Sequence, residues 1–192
     1  MALITVAGYK DRAGITVTTY DVALAVIVSE VEALVAKFCN RRLESTGADL
    51  TEKYNGRGND TLHLEGYPIV SITSVSYLSG VTSGAATFTA YGSGEYYTVA
   101  DTGELVRYNA IDYAFPESRE VDLNWPIGTG NVQVVYQGGY TAFTVPADLS
   151  SAMYDLVGIL QHGRDGTREA VTDDEVQAFL IERVSEYRRQ GL

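Results

Sequence analysis

The tripeptide Asp101-Thr102-Gly103 is the closest match to a catalytic motif in this 192-residue sequence. Aspartic proteases use Asp-Thr-Gly to place one of two carboxyl groups that share a proton. Here Glu104 follows, where those enzymes have Ser or Ala, and the sequence has no second copy, so only a homodimer would complete the pair. Asp and Gly are also ordinary turn residues. The sequence therefore favours a plain turn, with an aspartic-type hydrolase as the alternative.

Histidine and cysteine are too sparse to suggest another active site. His63 falls in an alternating segment and His162 near the end of a helical one, and neither has neighbours at zinc-ligand spacing. Cys39 is the only cysteine, so there is no intrachain disulfide. It ends an apolar helical segment, which favours a buried structural thiol over one half of a Cys–His nucleophile pair.

The glycine-rich loops do not complete a ligand-binding motif. Gly92-Ser93-Gly94 lacks the third glycine and the following helix of a dinucleotide-binding loop. Residues 55–60 offer oxygen ligands but no bidentate acid at the position that calcium requires. We therefore expect no catalytic residue, no cofactor and no metal site, and a protein that is not an enzyme.

Charge narrows the classes of partner. The net charge is −11, from 25 acidic and 14 basic residues, and this sign repels the phosphate backbone. Sequence-specific reading of nucleic acid is therefore disfavoured, whereas a protein that lets DNA slide past it is not. The longest apolar run, residues 22–28, is too short to span a bilayer, and the N-terminus lacks a signal-peptide pattern. We expect a soluble protein, made in the cytoplasm, with no membrane partner.

The elements that position these residues indicate an α+β fold, with three to four helices packed with an antiparallel β-sheet. Helices are predicted at 7–13, with Thr5 as cap and Gly14 as stop, and at 20–38, capped by Thr18 and Asp21. Another follows Pro146, and a last one begins with the capping box Thr172–Glu175. Alternation between turn residues predicts strands at 50–54, 61–64, 72–78, 87–90, 96–99, 105–108, 120–123 and 132–136.

Domain organisation follows from the same pattern. We predict one domain over residues 1–192, with an inserted β-rich block at about 79–125 and a C-terminal helical arm at about 172–190. The strands on either side of the block could pair without it.

Three stretches together resemble the head–tail connector (adaptor, or head-completion) proteins of tailed phages. One is the helix ending FCNRRLE at 38–44. The second comprises EKYNG at 52–56, GNDTL at 58–62, YPI at 67–69 and ITSV at 72–75. The third is NVQVVY at 131–136, GY at 139–140 and VPADL at 145–149, leading into a helix. The long β block and the longer C-terminal helix depart from the family pattern.

The resemblance implies a structural virion protein, made in the host cytoplasm and located in the neck between capsid and tail. Copies would form a ring, typically dodecameric, beneath the portal protein, and would receive a tail or tail-completion (stopper) protein. DNA would pass through the ring's channel without sequence-specific binding. Because the C-terminal helix of such proteins reaches the portal, the predicted portal interface is Phe179, Leu180, Val184, Tyr187 and Arg188. Intramolecular packing of Phe179, Leu180 and Val184 is the alternative.

Two other functions stay open at this point. The Tyr-rich residues 91–113 would suit a β-rich module that binds a carbohydrate or a receptor, because aromatic rings stack on sugars. A tail-completion protein would also assemble as a ring, and the sequence does not distinguish it from a connector.

Overall fold

The chain divides into a helical unit and a β-sheet unit. The computed structural model describes residues 2–82, 84–108, 124–164 and 171–189. The helical unit comprises Met1–Glu44 and Tyr140–Leu192, and the β unit comprises Ser45–Gly139. The described residues form four α-helices and two antiparallel sheets, which confirms the predicted α+β class.

The helices of the first unit share one apolar core. They are α1 (Val6–Ala13), α2 (Asp21–Cys39), α3 (Ala147–Arg164) and α4 (Asp173–Val184), followed by a 3-10 helix, Ser185–Tyr187. Apolar side chains at three- and four-residue spacing bury one face of each long helix. Within the described residues, none of these helices has both the length and the apolar character needed to cross a membrane. The core is made by Leu24, Ile27, Val28, Val31 and Val35 of α2, Leu149, Met153, Leu156 and Val157 of α3, and Val176, Leu180 and Val184 of α4.

Local capping explains where α1 begins and ends and where α4 begins. The Thr5 hydroxyl accepts a hydrogen bond from the Gly8 N–H at 3.0 Å, and Gly14 ends α1 with φ +68°, as predicted. The Thr172–Glu175 capping box is also confirmed, by hydrogen bonds of 3.3 and 3.1 Å.

The predicted cap of α2 is wrong. The residue at the cap position is Tyr20, which makes no side-chain capping hydrogen bond. Thr18 lies two residues before the cap position, and its backbone carbonyl accepts a hydrogen bond from the Asp21 N–H at 3.1 Å. The Asp21 carboxylate is engaged by Lys10 at 2.7 Å and does not close a box.

The β unit contains a four-stranded sheet and a three-stranded sheet. The strands are β1 (Leu50–Gly56), β2 (Thr61–His63), β3 (Ile69–Thr82), β4 (Ala85–Ala90), β5 (Tyr96–Val99), β6 (Glu104–Arg107) and β7 (Gly128–Gly138). The sheet orders are β1-β7-β3-β4 and β2-β6-β5, with every pairing antiparallel. The cis peptide bond Tyr67–Pro68 precedes β3. One apolar core lies in this unit, and its buried members include Leu64, Val75, Leu105, Trp125, Val132, Val134 and Tyr136.

Strands β3 and β7 are longer than predicted and pair directly with each other. Register shifts between Ile69 and Ser71, and between Ile72 and Ser74, interrupt the alternation from which a strand is recognised. The pairing of β3 with β7 is consistent with a block that intervenes between them, and β6 from that block pairs with β2. The predicted strand at 120–123 lies outside the described residues, and the insertion boundaries stay a prediction.

Candidate functional site

The Asp-Thr-Gly motif is the turn between β5 and β6. The Gly103 N–H donates to the carbonyl of Val99 at 3.0 Å, and Gly103 has φ +73°. A Cβ atom at Gly103 would lie 2.6 Å from the ring of Tyr67, so both the backbone and the space require glycine. The motif therefore forms a turn, as the sequence favoured, and the turn accounts for its glycine.

The Cys39 thiol is buried at the end of α2. Burial raises its pKa to about 11, against the smaller opposite effects of Arg41 and Arg188. The thiol is therefore protonated near neutral pH, where a nucleophile would have to be a thiolate. His162 lies on the exposed surface of α3, with Nδ1 2.9 Å from the carbonyl oxygen of Gly158.

The polar loop at 55–60 uses its groups for internal hydrogen bonds. The Asn55 side chain accepts from the Gly130 N–H at 2.7 Å, and the Gly56 N–H donates to Asn131 Oδ1 at 2.8 Å. Across the described ranges, no group of three or more His, Cys, Asp or Glu side chains could hold a metal ion. These hydrogen bonds join the end of β1 to the start of β7.

Several of the aromatic residues proposed for a carbohydrate site make ring contacts within the β unit. The Tyr91 ring lies 4.9 Å from that of Tyr77 and 5.6 Å from that of Trp125, between centroids. The guanidinium of Arg107 stacks on Tyr91 at 4.1 Å. Tyr97 is half-exposed and meets Tyr108 edge-on. Tyr91 therefore stabilises the β unit itself, and residues 109–113 of the predicted site lie outside the described residues.

The five residues predicted to face the portal divide into a buried and an exposed group. Leu180 and Val184 are 1% and 0% exposed, within the core of the helical unit. Phe179 is half-buried, with the Arg183 guanidinium 6.0 Å from its ring. Arg188 is exposed, 5.5 Å from the ring of Phe38. For Leu180 and Val184 the structure shows the intramolecular packing that the sequence offered as the alternative.

Tyr187 ties the end of α4 to the start of α3. Its hydroxyl donates to the Asp148 carboxylate at 2.6 Å, and this bond lowers the pKa of Asp148. The carboxyl group of Glu186 is hydrogen-bonded to the same carboxylate, which raises the pKa of Glu186. Burial, followed by the bond to Asp148, raises the pKa of Tyr187. The 3-10 turn after α4 is thus held in place by polar contacts.

Ile181 is the exposed residue that the sequence reasoning missed. Its side chain is 59% exposed on α4. The run Phe179-Leu180-Ile181 held the signal, because three successive residues on a helix span more than one face and cannot all enter the core. Of the predicted portal residues and Ile181, those that stay at least partly exposed are Phe179, Ile181, Tyr187 and Arg188, which we call the α4 surface.

Comparison with known proteins gives this architecture a family. A family model described as "Head completion protein" matches residues 2–164. Since the match covers most of the sequence, the chain belongs to the head completion protein family. No curated protein sequence matches the chain.

Solved structures share the fold at low sequence identity. The neck of an empty gene transfer agent (GTA) particle, computed with C6 symmetry, aligns with a TM-score of 0.64 at 16% identity, covering 99% of this chain and 91% of that one. The virion of the native GTA particle aligns with a TM-score of 0.63 at 16% identity, covering 99% of this chain and 91% of that one. The neck of the native GTA particle, computed with C12 symmetry, aligns with a TM-score of 0.61 at 18% identity, covering 97% of this chain and 89% of that one. At these identities the likeness is one of fold.

The family gives the chain its general role. It is a structural protein of a phage-like virion that acts in connecting head to tail. This confirms the resemblance drawn from the three sequence stretches and the predicted virion location. The family match ends at residue 164, so α4 lies beyond it.

Proposed function

We propose that copies of this chain form a dodecameric ring beneath the portal, which joins the capsid to the tail or to a tail-completion (stopper) protein. The observation that carries the proposal is the family match over residues 2–164. The likeness in fold to a neck described with C12 symmetry supports the ring and its copy number.

DNA passes through the channel of this ring without being gripped. The net charge of −11 per chain supports this step, because an acidic lumen repels phosphates, whereas a basic one would hold DNA by releasing its counterions.

The α4 surface contacts the portal. Leu180 and Val184 anchor α4 in the core of its own subunit, which leaves Phe179, Ile181, Tyr187 and Arg188 facing outward or half-exposed. Ile181 is a large apolar side chain exposed to solvent, and aromatic and Arg residues such as Phe179, Tyr187 and Arg188 are enriched at interfaces. The five-residue interface predicted from the sequence is thereby divided into residues that hold the helix and residues that touch the partner.

Two substitutions on α4 separate these roles. Ile181→Asp places a charge on the exposed face, so it should weaken co-sedimentation with the portal by roughly tenfold or more and leave the melting temperature unchanged. Leu180→Ala opens a cavity in the core, so it should lower the free energy of unfolding by about 2–5 kcal/mol.

The matched control is Val70→Asp, which adds the same charge at an exposed valine of the β unit. Equal portal binding by Ile181→Asp and Val70→Asp would contradict the contact. Negative-stain images of the unmodified protein mixed with portal test the ring, and an absence of rings would contradict it.

A further inference from the structure

The outer face of the first half of α2 contains an uncharged patch. Val22, Ala25, Val26 and Ser29 are all exposed, and Val22 and Val26 are 81% and 58% exposed. Their spacing of i, i+3, i+4 and i+7 is that of the four residues that form a hole for a side chain of a facing helix or loop. The Ser29 hydroxyl donates to the Ala25 carbonyl at 3.1 Å, so covering this hole leaves no hydroxyl unsatisfied.

The first half of this helix, residues 22–29, is apolar on its outer as well as its inner face apart from Ser29. Leu24, Ile27 and Val28 point into the core, and the residues between them, from Val22 to Ser29, include no charge. A helix that is apolar all round is normally buried. In a single subunit the outer face of α2 is nevertheless open to solvent.

A second uncharged feature is the Phe143 side chain. It is 98% exposed, so it touches almost nothing in its own chain. Its loop is ordered by hydrogen bonds between Thr141 and Thr144: the Thr141 N–H donates to Thr144 Oγ1 at 2.8 Å, and the Thr144 N–H donates to the Thr141 carbonyl at 3.1 Å. The Phe143 N–H donates to Thr141 Oγ1 at 3.3 Å. The aromatic ring is thus presented to solvent by a fixed loop, which reduces the entropy lost when it binds.

The two features occupy different parts of the helical unit. The loop of Phe143 is tied to the chain after α2 by the bond from the Tyr140 N–H to the Leu43 carbonyl, at 2.6 Å. The hole lies in the first half of α2, and Val26 is about 20 Å along the helix axis from Cys39. Two distinct, complementary patches on one chain are what a head-to-tail ring requires, whereas a two-fold dimer pairs a patch with itself.

From these observations we infer that Phe143 of one copy inserts into the hole formed by Val22, Ala25, Val26 and Ser29 of the next copy. This inference rests on the proposed ring and names its subunit contact. Charge favours a second copy as the occupant: chains of net charge −11 repel each other, so copies associate at least cost where neither side carries a charge. The loop from Thr141 to Pro146, like the hole, contains no charged residue.

Cysteine cross-linking tests the contact directly. The double variant Phe143→Cys/Val26→Cys is assembled, with portal where assembly needs it, and treated with a short bismaleimide. A head-to-tail contact predicts a ladder of covalent dimers, trimers and larger species on a denaturing gel. Each single variant alone should stay monomeric, and a mixture of the two single variants should give dimers only. Cys39 is present in every sample, and because it is buried and protonated it should not react; the single variants show whether it does.

The outcomes distinguish this inference from the ring itself. Rings in images of the unmodified protein, together with no ladder from the double variant, would overturn the contact and leave the ring intact. Dimers from Val26→Cys alone would also overturn it, because α2 would then pair with itself. The control pair Val70→Cys/Val26→Cys, with Val70 66% exposed on the β unit, should give no ladder. Absence of any ring from the unmodified protein would overturn the proposed function and this contact with it.

A milder substitution gives an independent readout. Phe143→Ala should raise the protein concentration needed for half-assembly by roughly tenfold or more, and Phe143→Leu by less, because leucine keeps much of the apolar surface. Neither substitution should alter the melting temperature of the unassembled chain, since the Phe143 side chain touches almost nothing in its own chain. Unchanged assembly of Phe143→Ala would contradict the contact.

Discussion

At the scale of single residues, burial governs protonation in the β unit. The Tyr54 and Tyr136 hydroxyls both donate to the Glu52 carboxylate, Tyr136 at 2.7 Å. Tyr136 also accepts from the Gly66 N–H at 2.9 Å, and Tyr54 from the Glu65 N–H at 3.1 Å. Burial, reinforced by the bond to Glu52, raises the pKa of Tyr54, and burial raises the pKa of Tyr136 to about 12. The bonds from the Glu65 and Gly66 N–H groups connect β1 and β7 to the chain before β3, whereas donation to Glu52 requires that both hydroxyls keep their protons.

The raised pKa of Tyr136 predicts that the free energy of unfolding falls at alkaline pH. The ordinary tyrosine pKa is 10.0, and that of Tyr136 in the folded state is about 12. Above pH 10 the unfolded chain therefore loses a proton that the folded chain retains. The free energy of unfolding should be unaffected by this group below pH 10 and should fall as the pH rises from about 10 through about 12.

Urea unfolding followed by circular dichroism at a series of pH values measures this effect. Tyr136→Phe should be less stable at neutral pH by about 1–3 kcal/mol, because the Gly66 N–H loses its acceptor, and should show a shallower fall above pH 10. Tyr97→Phe, at a half-exposed ring, is the control. The same slope in Tyr136→Phe and the unmodified protein would refute the assignment.

Cys39 gives a second prediction at this scale. With a pKa of about 11 and no exposed surface, the thiol should react with iodoacetamide at pH 7.5 far more slowly in the folded protein than in urea. Mass spectrometry of the alkylated chain over time measures both rates. Equal rates would show an accessible thiolate and would reopen the question of a nucleophile.

At the scale of elements, sequence patterns predicted the helices more closely than the long strands. Thr5, Gly14 and Thr172 act locally, so their effect on helix ends can be read without knowing the fold. The ends of β3 and β7 could not be read, because bulges interrupt alternation and glycine is also a turn residue. The exposed position of Ile181 depends on which face of α4 meets the core, and helical periodicity alone leaves that choice open.

The close approach of β7 to the segment before β3 explains the glycine at position 138. A Cβ atom at Gly138 would lie 2.1 Å from the carbonyl oxygen of Gly66. Gly138→Ala should therefore force the backbones apart and lower the free energy of unfolding by about 1–3 kcal/mol. Gly80→Ala is the matched control, because it lies in β3 with no heavy atom within 4 Å of its new Cβ, and it should be nearly neutral. Equal melting temperatures for the two variants would contradict the close approach.

At the scale of the whole molecule, charge and assembly act against each other. In the proposed ring, the net charge of −11 per chain leaves DNA mobile in the channel, and it also opposes the approach of further copies. The proposed contact between Phe143 and the hole on α2 meets both demands, because uncharged patches associate without neutralising the acidic residues.

The acidic balance predicts weak contact with nucleic acid. At 0.15 M salt the assembled protein should not shift double-stranded DNA in a gel at concentrations where a basic protein does so, in the micromolar range. Salt should have little effect on this result, since there are no counterions to release. A shift at micromolar protein that disappears at higher salt would contradict an unbound DNA in the channel.

The mass of the purified protein, alone and mixed with its portal, tests the central claim most directly. Light scattering after size exclusion distinguishes a chain of 20.8 kDa from a ring of twelve, at about 250 kDa. We predict a dodecamer, either alone or as a matching increase in the mass of the portal. A protein that stays at the mass of one chain in both samples would contradict the ring and its place beneath the portal.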